Sequence, residues 1–402
     1  MTDAADVAIV GGGPAGAALA IRLADAGVRT LLFERSAEPK WRACGVFSSP
    51  LTARRLIEVG LTRGLVDELS RPISALNLET TRGARCRIEY EHGHARGFDR
   101  PPLDAALLDR ARDAGAEVRV GTVVRTVELP QSAKEPCWLH VSATDPRWRG
   151  DRRVIKARLI VGADGSGSLV SRSAGIPARN TRIWKSAITF HRKDPEAAPQ
   201  TEPMEGRFVF GKGWYVGVAP VPHARVNVGM VIPGPWISAT LDDITERLLG
   251  SFPGPRDPWM SSPMTDGYRV EGVLEHRANR AVGPGFLLVG DAAGFIDPLT
   301  GEGLHRALVS SELAADAIAR WLRGDGAALD DYDRHLRARF RNKDVVSWVL
   351  QGFLAQPALL DYAVRRLASR RRQREVLTLV LTDQLPASRA LDPRFLARLL
   401  VP

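Results

Sequence analysis

Three glycines and an acid near the start of the chain have the spacing of a dinucleotide site. Gly11, Gly13 and Gly16 satisfy the pattern G-x-G-x-x-G, directly after an apolar segment and at the start of a segment of helical composition. In this pattern the first glycine permits a tight turn, the second lets a pyrophosphate approach the backbone, and the third allows close helix–strand packing. Glu34 ends the next apolar segment, where a carboxylate accepts hydrogen bonds from ribose hydroxyls. These residues predict a nucleotide held at a helix N-terminus.

Two further turns place an acid directly after an apolar strand. Asp164 lies in an Ala-Asp-Gly turn, and Asp291 lies in the run GDAAGFIDPLTGEG. A buried carboxylate is costly without partners, and the hydroxyls of a ribityl chain would suit Asp291. Gly301 and Gly303 bracket a second helix start, whose N–H groups can stabilise the negative charge of a reduced flavin. Two such helix starts, one at each end of an extended ligand, predict FAD.

The elements around these motifs alternate between strand and helix patterns. The first motif lies in a β-α-β opening, and apolar–polar alternation over residues 76–98 predicts antiparallel strands. We therefore predict an α/β (α+β) fold, in which a Rossmann-type FAD-binding domain carries an inserted antiparallel-sheet substrate domain and a helical C-terminal region. The predicted boundaries are residues 1–75, 95–180 and 271–325 for the FAD-binding domain, 76–94 and 181–270 for the substrate domain, and 326–402 for the C-terminal region.

With these motifs in this order, the chain resembles the FAD-dependent aromatic hydroxylases of the p-hydroxybenzoate hydroxylase fold. It looks most like the branch that contains geranylgeranyl reductases and flavin-dependent monooxygenases and halogenases. Besides the motifs above, the resemblance rests on KWRACG at residues 40–45 and RPPLD at residues 100–104. It implies FAD as the cofactor and NAD(P)H as the electron donor. It also implies a set of cofactor-binding residues, namely Gly11, Gly13, Pro14, Ala15, Gly16, Glu34, Arg35, Cys44, Gly45, Arg100, Asp164, Asp291, Pro298, Gly301, Gly303 and Leu304.

Four side chains are candidates for contact with the substrate. Cys44 could relay a proton or be a small buried hydrophobe, and Glu302 could be a general acid or a helix cap. Trp214 and Tyr215 could line a substrate pocket or belong to the core of a sheet. The W-x-W-x-I-P motif of the halogenases is absent from the sequence, and Gly294 stands where the reductases have glycine.

The leading expectation is therefore the reduction of carbon–carbon double bonds in an apolar, isoprenoid-like small molecule. The alternative is a flavin-dependent monooxygenase that hydroxylates an organic or aromatic substrate. A third hypothesis is a non-catalytic prenyl-binding protein of the same fold.

Composition narrows the class of protein further. With 44% hydrophobic and 25% charged residues, the sequence is typical of a globular protein, and no apolar run is long enough to span a membrane. The acidic N-terminus differs from a signal peptide and the three cysteines fit a reducing compartment, so we expect a cytoplasmic location. No His/Cys cluster has the spacing of metal ligands, so we expect no metal.

The net charge of +10 comes mostly from scattered arginines. No nucleic-acid-binding motif accompanies them, so we expect no nucleic-acid partner. One dense arginine cluster lies at residues 365–374, and it is either a solvated helix face or a contact with an anionic membrane surface. The sequence does not specify an oligomeric state.

Overall fold

The structure is a computed structural model, which describes residues 3–42, 47–90, 93–130, 135–144, 152–176, 185–272 and 275–400. Two large β-sheets form its framework, and helices cover them. This mixed architecture confirms the predicted fold class.

The strands are numbered along the chain. They are β1 (Asp3–Val10), β2 (Thr30–Phe33), β3 (Phe47–Ser48), β4 (Ser70–Thr80), β5 (Arg85–Glu89), β6 (Ala95–Phe98), β7 (Glu117–Arg119), β8 (Thr122–Glu128), β9 (Cys137–Ala143), β10 (Arg152–Gly162), β11 (Lys185–Lys193), β12 (Met204–Phe210), β13 (Tyr215–Val221), β14 (Arg225–Pro233), β15 (Arg269–Glu271), β16 (His276–Arg277), β17 (Val282–Gly283), β18 (Phe286–Leu288) and β19 (Gly294–Phe295).

The helices are numbered in the same way. They are α1 (Pro14–Asp25), α2 (Pro50–Glu58), α3 (Arg63–Glu68), α4 (Arg100–Asp113), α5 (Leu169–Ser173), α6 (Leu241–Leu249), α7 (Gly303–Leu322), α8 (Ala328–Ala355), α9 (Pro357–Ser369), α10 (Arg371–Leu381) and α11 (Pro393–Leu400).

The first sheet is parallel at its centre, where the strand order is β18-β10-β1-β2-β7. Val7, Ala8 and Ile9 of β1 are fully buried, so side chains on both faces of this strand are covered. Burial on both faces explains why residues 7–10 of this strand form an unbroken apolar run. The carboxyl ends of β1, β10 and β18 lie at one edge of the sheet, and each is followed by one of the three predicted motifs. The topology therefore brings the three motifs together.

The second sheet has the order β15-β11-β14-β13-β12-β4-β6-β3, with β5 paired to β4. Neighbouring strands are antiparallel apart from the pair β12 and β4. Residues such as Ile188, Val216 and Val228 on one face pack against Ile244 and Leu248 of α6. The opposite face looks toward the first sheet and the C-terminal helices.

The C-terminal helices complete the second layer of the molecule. Leu354 of α8 and Val364 and Leu367 of α9 pack with Ile88 and Phe210 of the second sheet. This region is therefore part of the sheet's apolar core rather than a separate tail.

The second sheet contains more strands than the predicted substrate domain, residues 76–94 and 181–270, would supply. It also contains β3, β6 and the first half of β4, all of which were assigned to the FAD-binding domain. Ser70, Arg71, Pro72 and Ile73 are all buried, so this part of β4 lacks the alternation of apolar and polar residues that marked the strand from residue 76 onward.

Candidate functional site

A cavity of about 890 Å³ lies between the two sheets. Its volume is near the upper end of the range for small-molecule sites, as a dinucleotide requires. Most of the predicted cofactor-binding residues line it: Gly11, Gly13, Pro14, Ala15, Glu34, Arg35, Arg100, Asp164, Asp291, Pro298, Gly301, Gly303 and Leu304. The structure thus brings together residues that are almost 300 positions apart in the chain.

Two glycines of the first motif, Gly11 and Gly16, hold the backbone where no side chain would fit. Gly11 has a φ of 107°, and a Cβ atom there would lie 2.4 Å from the carbonyl oxygen of Ala163. A Cβ atom on Gly16 would lie 2.0 Å from the carbonyl oxygen of Gly11, so Gly16 allows α1 to approach β1 without lining the cavity. Gly13 has no atom within 4 Å of that position, and no side chain caps α1. The first N–H groups of α1 are therefore accessible to a phosphate.

Glu34 is held rigidly beside this turn. One carboxylate oxygen accepts a hydrogen bond from the Gly12 N–H at 2.9 Å, and the other accepts from the Ser36 N–H and from Arg42, each at 2.9 Å. A carboxylate offers about four lone-pair positions, so one remains for a ribose hydroxyl. Arg125 and neighbouring residues of β8 line the cavity at this end and would border the adenosine.

The turn after β18 contacts the start of α1, and the turn before α7 packs against β3. Gly290 has a φ of 57°, and a Cβ atom on it would lie 2.8 Å from the Cβ of Ala15. Gly301 has a φ of 66° and faces the ring of Phe47, where a Cβ atom would lie 2.4 Å from the ring edge. Gly303 opens α7 without a side-chain cap, and its Cβ position is free of neighbours within 4 Å.

Two carboxylates in the cavity lack full hydrogen bonding. Within the described part of the chain, no group donates a hydrogen bond to Asp291, and desolvation raises its pKa from 3.8 to about 6 against the attraction of Arg306 and Arg100. Asp164 accepts a hydrogen bond from the Leu169 N–H at 2.6 Å through one oxygen, while its buried second oxygen lacks a partner among the described residues. Burial also raises the pKa of Asp164. The unsatisfied carboxylate oxygens fit hydroxyl groups of FAD, which can donate to them. The N–H groups at the open helix starts fit negatively charged parts of the same ligand.

Among the described residues, two of the predicted side chains, Glu302 and Trp214, are not brought into the cavity. Cys44 and Gly45 lie outside the described residues. Glu302 is buried behind the cavity lining, where it forms an ion pair with Lys343, so the structure does not present it to a substrate as a general acid. Trp214 packs with Ile188 and Val216 on the face of the second sheet that α6 covers.

Tyr215, the neighbour of Trp214, does line the cavity. Adjacent residues of a strand point to opposite faces of the sheet, so only one of the two could reach the site. The Tyr215 hydroxyl donates a hydrogen bond to the Asp297 carboxylate at 2.6 Å.

The sequence reasoning missed other residues that line the cavity on the second sheet. Phe208 and Val231 give this wall apolar surface, while Asn227 donates a hydrogen bond to the Thr189 hydroxyl at 2.9 Å. Arg269 lies near the same polar pair, because Arg269 is opposite Thr189 in the sheet. The alternation along β11 and β14 could have assigned these residues to one face.

The fold and the site together define an FAD-dependent oxidoreductase. The chain belongs to a family described as the FAD binding domain, which it matches over residues 4–247. It is 30% identical over 351 residues to digeranylgeranylglycerophospholipid reductase 1 of Methanopyrus kandleri, covering 82% of this chain and 84% of that protein. The predictions of FAD as cofactor and of an FAD-dependent oxidoreductase are confirmed.

Two further similarities bear on the fold and the reaction. Rifampicin monooxygenase of Rhodococcus hoagii is 29% identical over 412 residues, covering 95% of this chain and 78% of that protein. The crystal structure of a geranylgeranyl bacteriochlorophyll reductase-like protein from Thermoplasma acidophilum superposes with a TM-score of 0.80 at 21% identity, covering 98% of this chain and all of that one. The resemblance inferred from the motifs is thereby confirmed.

Proposed function

We propose that the protein reduces carbon–carbon double bonds of an apolar, isoprenoid-like substrate. One observation carries this proposal: the cavity that contains Pro298 and Gly301 also has an apolar wall on the second sheet, formed by Leu76, Phe208 and Val231. An apolar chain is the ligand that such a wall favours. The similarity to a digeranylgeranylglycerophospholipid reductase, and the Gly-Glu-Gly segment at the start of α7, support the same reaction.

The residues of the cavity would divide the binding of FAD between them. Gly13 and the start of α1 would hold the pyrophosphate, Glu34 a ribose, and Asp291 the ribityl hydroxyls. The N–H groups at the start of α7 would stabilise negative charge on the flavin. When bound, FAD supplies hydride chemistry, while the protein orients the substrate and excludes water from it.

We propose NAD(P)H as the electron donor. Asp164, Ser166 and Arg172 line the cavity around the turn after β10 and leave polar groups near its edge. The guanidinium group of Arg172 would suit a phosphate of the dinucleotide. Anaerobic mixing of the FAD-loaded protein with NADH and with NADPH tests this choice. If neither dinucleotide reduces the absorbance of the oxidised flavin, the choice is contradicted.

The reaction is tested without oxygen. The FAD-loaded protein is reduced with dithionite and mixed with digeranylgeranylglycerophospholipid in detergent or with free geranylgeraniol. We expect the flavin to be reoxidised and the product to gain two hydrogens for each double bond reduced, as measured by mass spectrometry. Reduction of neither isoprenoid would refute the proposal.

A monooxygenase is the second candidate function. It is favoured by the similarity to rifampicin monooxygenase over 95% of the chain and by the polar pair Asn227 and Thr189, which could bind a hydroxyl group of an aromatic substrate. Incorporation of oxygen from isotopically labelled dioxygen into a product, in place of added hydrogen, would establish this function.

We further propose a cytoplasmic protein that attaches peripherally to membranes. No helix in the described residues is long and apolar enough to cross a bilayer. Residues 345–360 contain no charged side chain, and the outward-facing Val345 and Leu359 are 42% and 43% exposed. The arginine cluster at residues 365–374 follows directly, and apolar surface beside arginines is typical of attachment to anionic lipid.

A further inference from the structure

We propose that Tyr215 is a catalytic residue that delivers a proton to the substrate, and that Asp297 and Lys185 are positioning residues that hold and resupply this proton. The inference rests on the proposed double-bond reduction, because that reaction requires a proton beside each hydride. It assigns the proton donor to this chain's own side chains.

A hydrogen bond and an ion pair connect these three residues. The Tyr215 hydroxyl donates to Oδ1 of Asp297 at 2.6 Å, and Nζ of Lys185 lies 3.8 Å from Oδ2 of the same carboxylate. The Lys185 ammonium also lies 5.8 Å from the centre of the Tyr215 ring and donates to Gln351 of α8. All four residues are buried, with exposures of 8% or less. Burial of so many polar groups without contact with solvent makes their mutual hydrogen bonds strong.

The group is positioned at the part of the cavity where the flavin ring is expected. Asp297 directly precedes Pro298, which lines the cavity together with Phe295 and Gly301. Tyr215 itself lines the cavity, so its ring forms a boundary between the buried group and the substrate space.

A second buried ionic cluster, at the start of α7, is placed differently. Glu302, Lys343, Asp383 and His305 lie close together, but none of them lines the cavity. This cluster stabilises the start of α7 without reaching the substrate space. Of these two buried clusters, the one at Asp297 therefore has the shorter route to the substrate space beside the apolar wall.

The geometry permits a balanced proton transfer. While Asp297 is ionised, the Tyr215 O–H bond is directed at it and away from the substrate. When Asp297 carries a proton, its O–H donates to the phenol oxygen. The phenol O–H bond is then free to point into the cavity. In the step itself the carbon–carbon π bond breaks, one carbon takes the hydride supplied by reduced flavin, and the other takes the Tyr215 proton. The Asp297 proton passes to the phenol oxygen, Asp297 becomes ionised, and water reprotonates it after the product leaves.

The charges around Asp297 suit this cycle. The described groups that face it are Lys185 from β11, Tyr215 from β13, Gln351 from α8 and the backbone N–H of Leu299. Burial raises the pKa of Asp297 and lowers the pKa of Lys185. A raised pKa favours the protonated carboxyl, so we expect the rate of substrate reduction to fall as pH rises through the pKa of Asp297.

The test compares two tyrosine variants of the FAD-loaded protein. Tyr215→Phe removes the proposed donor, whereas Tyr332→Phe removes an equally buried hydroxyl that donates to the Leu288 carbonyl at 2.7 Å, away from the cavity. After reduction with dithionite, each variant is mixed without oxygen with digeranylgeranylglycerophospholipid in detergent, and flavin reoxidation is followed. We expect Tyr215→Phe to be slower than wild type by about 10²–10⁴-fold, with unchanged flavin content, and Tyr332→Phe to match wild type.

The pH profile and the solvent isotope effect separate a proton donor from a merely structural tyrosine. Wild type should slow in deuterated solvent and lose rate at high pH, while Asp297→Asn should lose this pH dependence. A Tyr215→Phe variant that keeps the wild-type rate, or that keeps the wild-type pH profile and isotope effect, would overturn the proposal.

A measurement without substrate distinguishes this inference from the proposed function. Infrared titration of the protein should show a protonated carboxyl band that Asp297→Asn removes and Tyr215→Phe shifts. Absence of that band would overturn the proton store at Asp297, even in an enzyme that reduces isoprenoids. Failure of wild type to reduce either isoprenoid, with the band present, would instead overturn the proposed reaction and with it the role of Tyr215 as donor.

Discussion

Replacement of Asp291 by asparagine should stabilise the flavin-free protein and at the same time weaken FAD binding. Asp291 lines the cavity and lacks a hydrogen-bond donor among the described residues, and its pKa is raised from 3.8 to about 6. One pKa unit corresponds to about 1.4 kcal/mol, so ionised Asp291 destabilises the flavin-free fold by up to about 3 kcal/mol. Water in the cavity screens part of this, and we expect about 1–2 kcal/mol in measurement.

The sign of the pH dependence follows from the raised pKa. The contribution of Asp291 to stability is fully present below the ordinary value of 3.8 and is lost as pH rises through about 6. The free energy of unfolding of Asp291→Asn should therefore exceed that of wild type at neutral pH, and the difference should vanish in acid.

Cofactor binding should change in the opposite direction. A hydrogen bond to a charged group contributes about 1.5–3 kcal/mol, so loss of the carboxylate should raise the Kd for FAD by about 10- to 150-fold. Urea unfolding of flavin-free protein and fluorescence titration with FAD give the two quantities. Asp104→Asn is the matched control, because Asp104 also lines the cavity but forms an ion pair with Arg100 at 3.1 Å and should lower stability. If Asp291→Asn lowers stability at neutral pH, the carboxylate has a protein partner and the reasoning is refuted.

Three further variants test other parts of the structure. Gly16→Ala should destabilise the protein by about 1–3 kcal/mol and reduce the flavin-to-protein ratio on purification, because its Cβ would lie 2.0 Å from the Gly11 carbonyl oxygen; normal flavin content would contradict this. Lys343→Met should lower the free energy of unfolding by about 3–5 kcal/mol, since it leaves Glu302 buried without its ion-pair partner, and adding Glu302→Gln should recover most of the loss in urea unfolding. Leu359→Asp should reduce sedimentation with anionic phospholipid vesicles by about tenfold, whereas unchanged sedimentation would show that this exposed face does not meet lipid.

The sequence predicted the residues whose role depends on the local backbone. A glycine required at a turn, or an acid at the end of a buried strand, leaves a signal within a few positions, as at Gly11 and Asp291. The turns that follow parallel strands lie at the same edge of the sheet, so the fold class already predicted that the three motifs lie close together. That these residues contact FAD stays a prediction, although the structure places all but Gly16 of the described ones in one cavity.

The rest of the site depends on contacts between distant segments. Asp297 meets Tyr215 and Lys185 only because the second sheet lies across the start of α7, and nothing near Asp297 in the sequence signals this. Glu302 was predicted as a candidate acid because it flanks the same helix start, but a lysine from α8 pairs with it behind the cavity. Trp214 was grouped with Tyr215 although strand alternation separates neighbours.

Helix α8 links three parts of the molecule that are far apart in the chain. Lys343 near its middle is paired with Glu302 at the start of α7, Gln351 accepts a hydrogen bond from Lys185, and the Leu354 carbonyl accepts one from the Gly213 N–H. A shortened version limited to the family match at residues 4–247 would therefore lack both α7 and α8. It would lose the contacts through which α8 connects the start of α7 to the second sheet beside the substrate space. Engineering that trims or swaps the C-terminal region should be expected to alter catalysis as well as solubility.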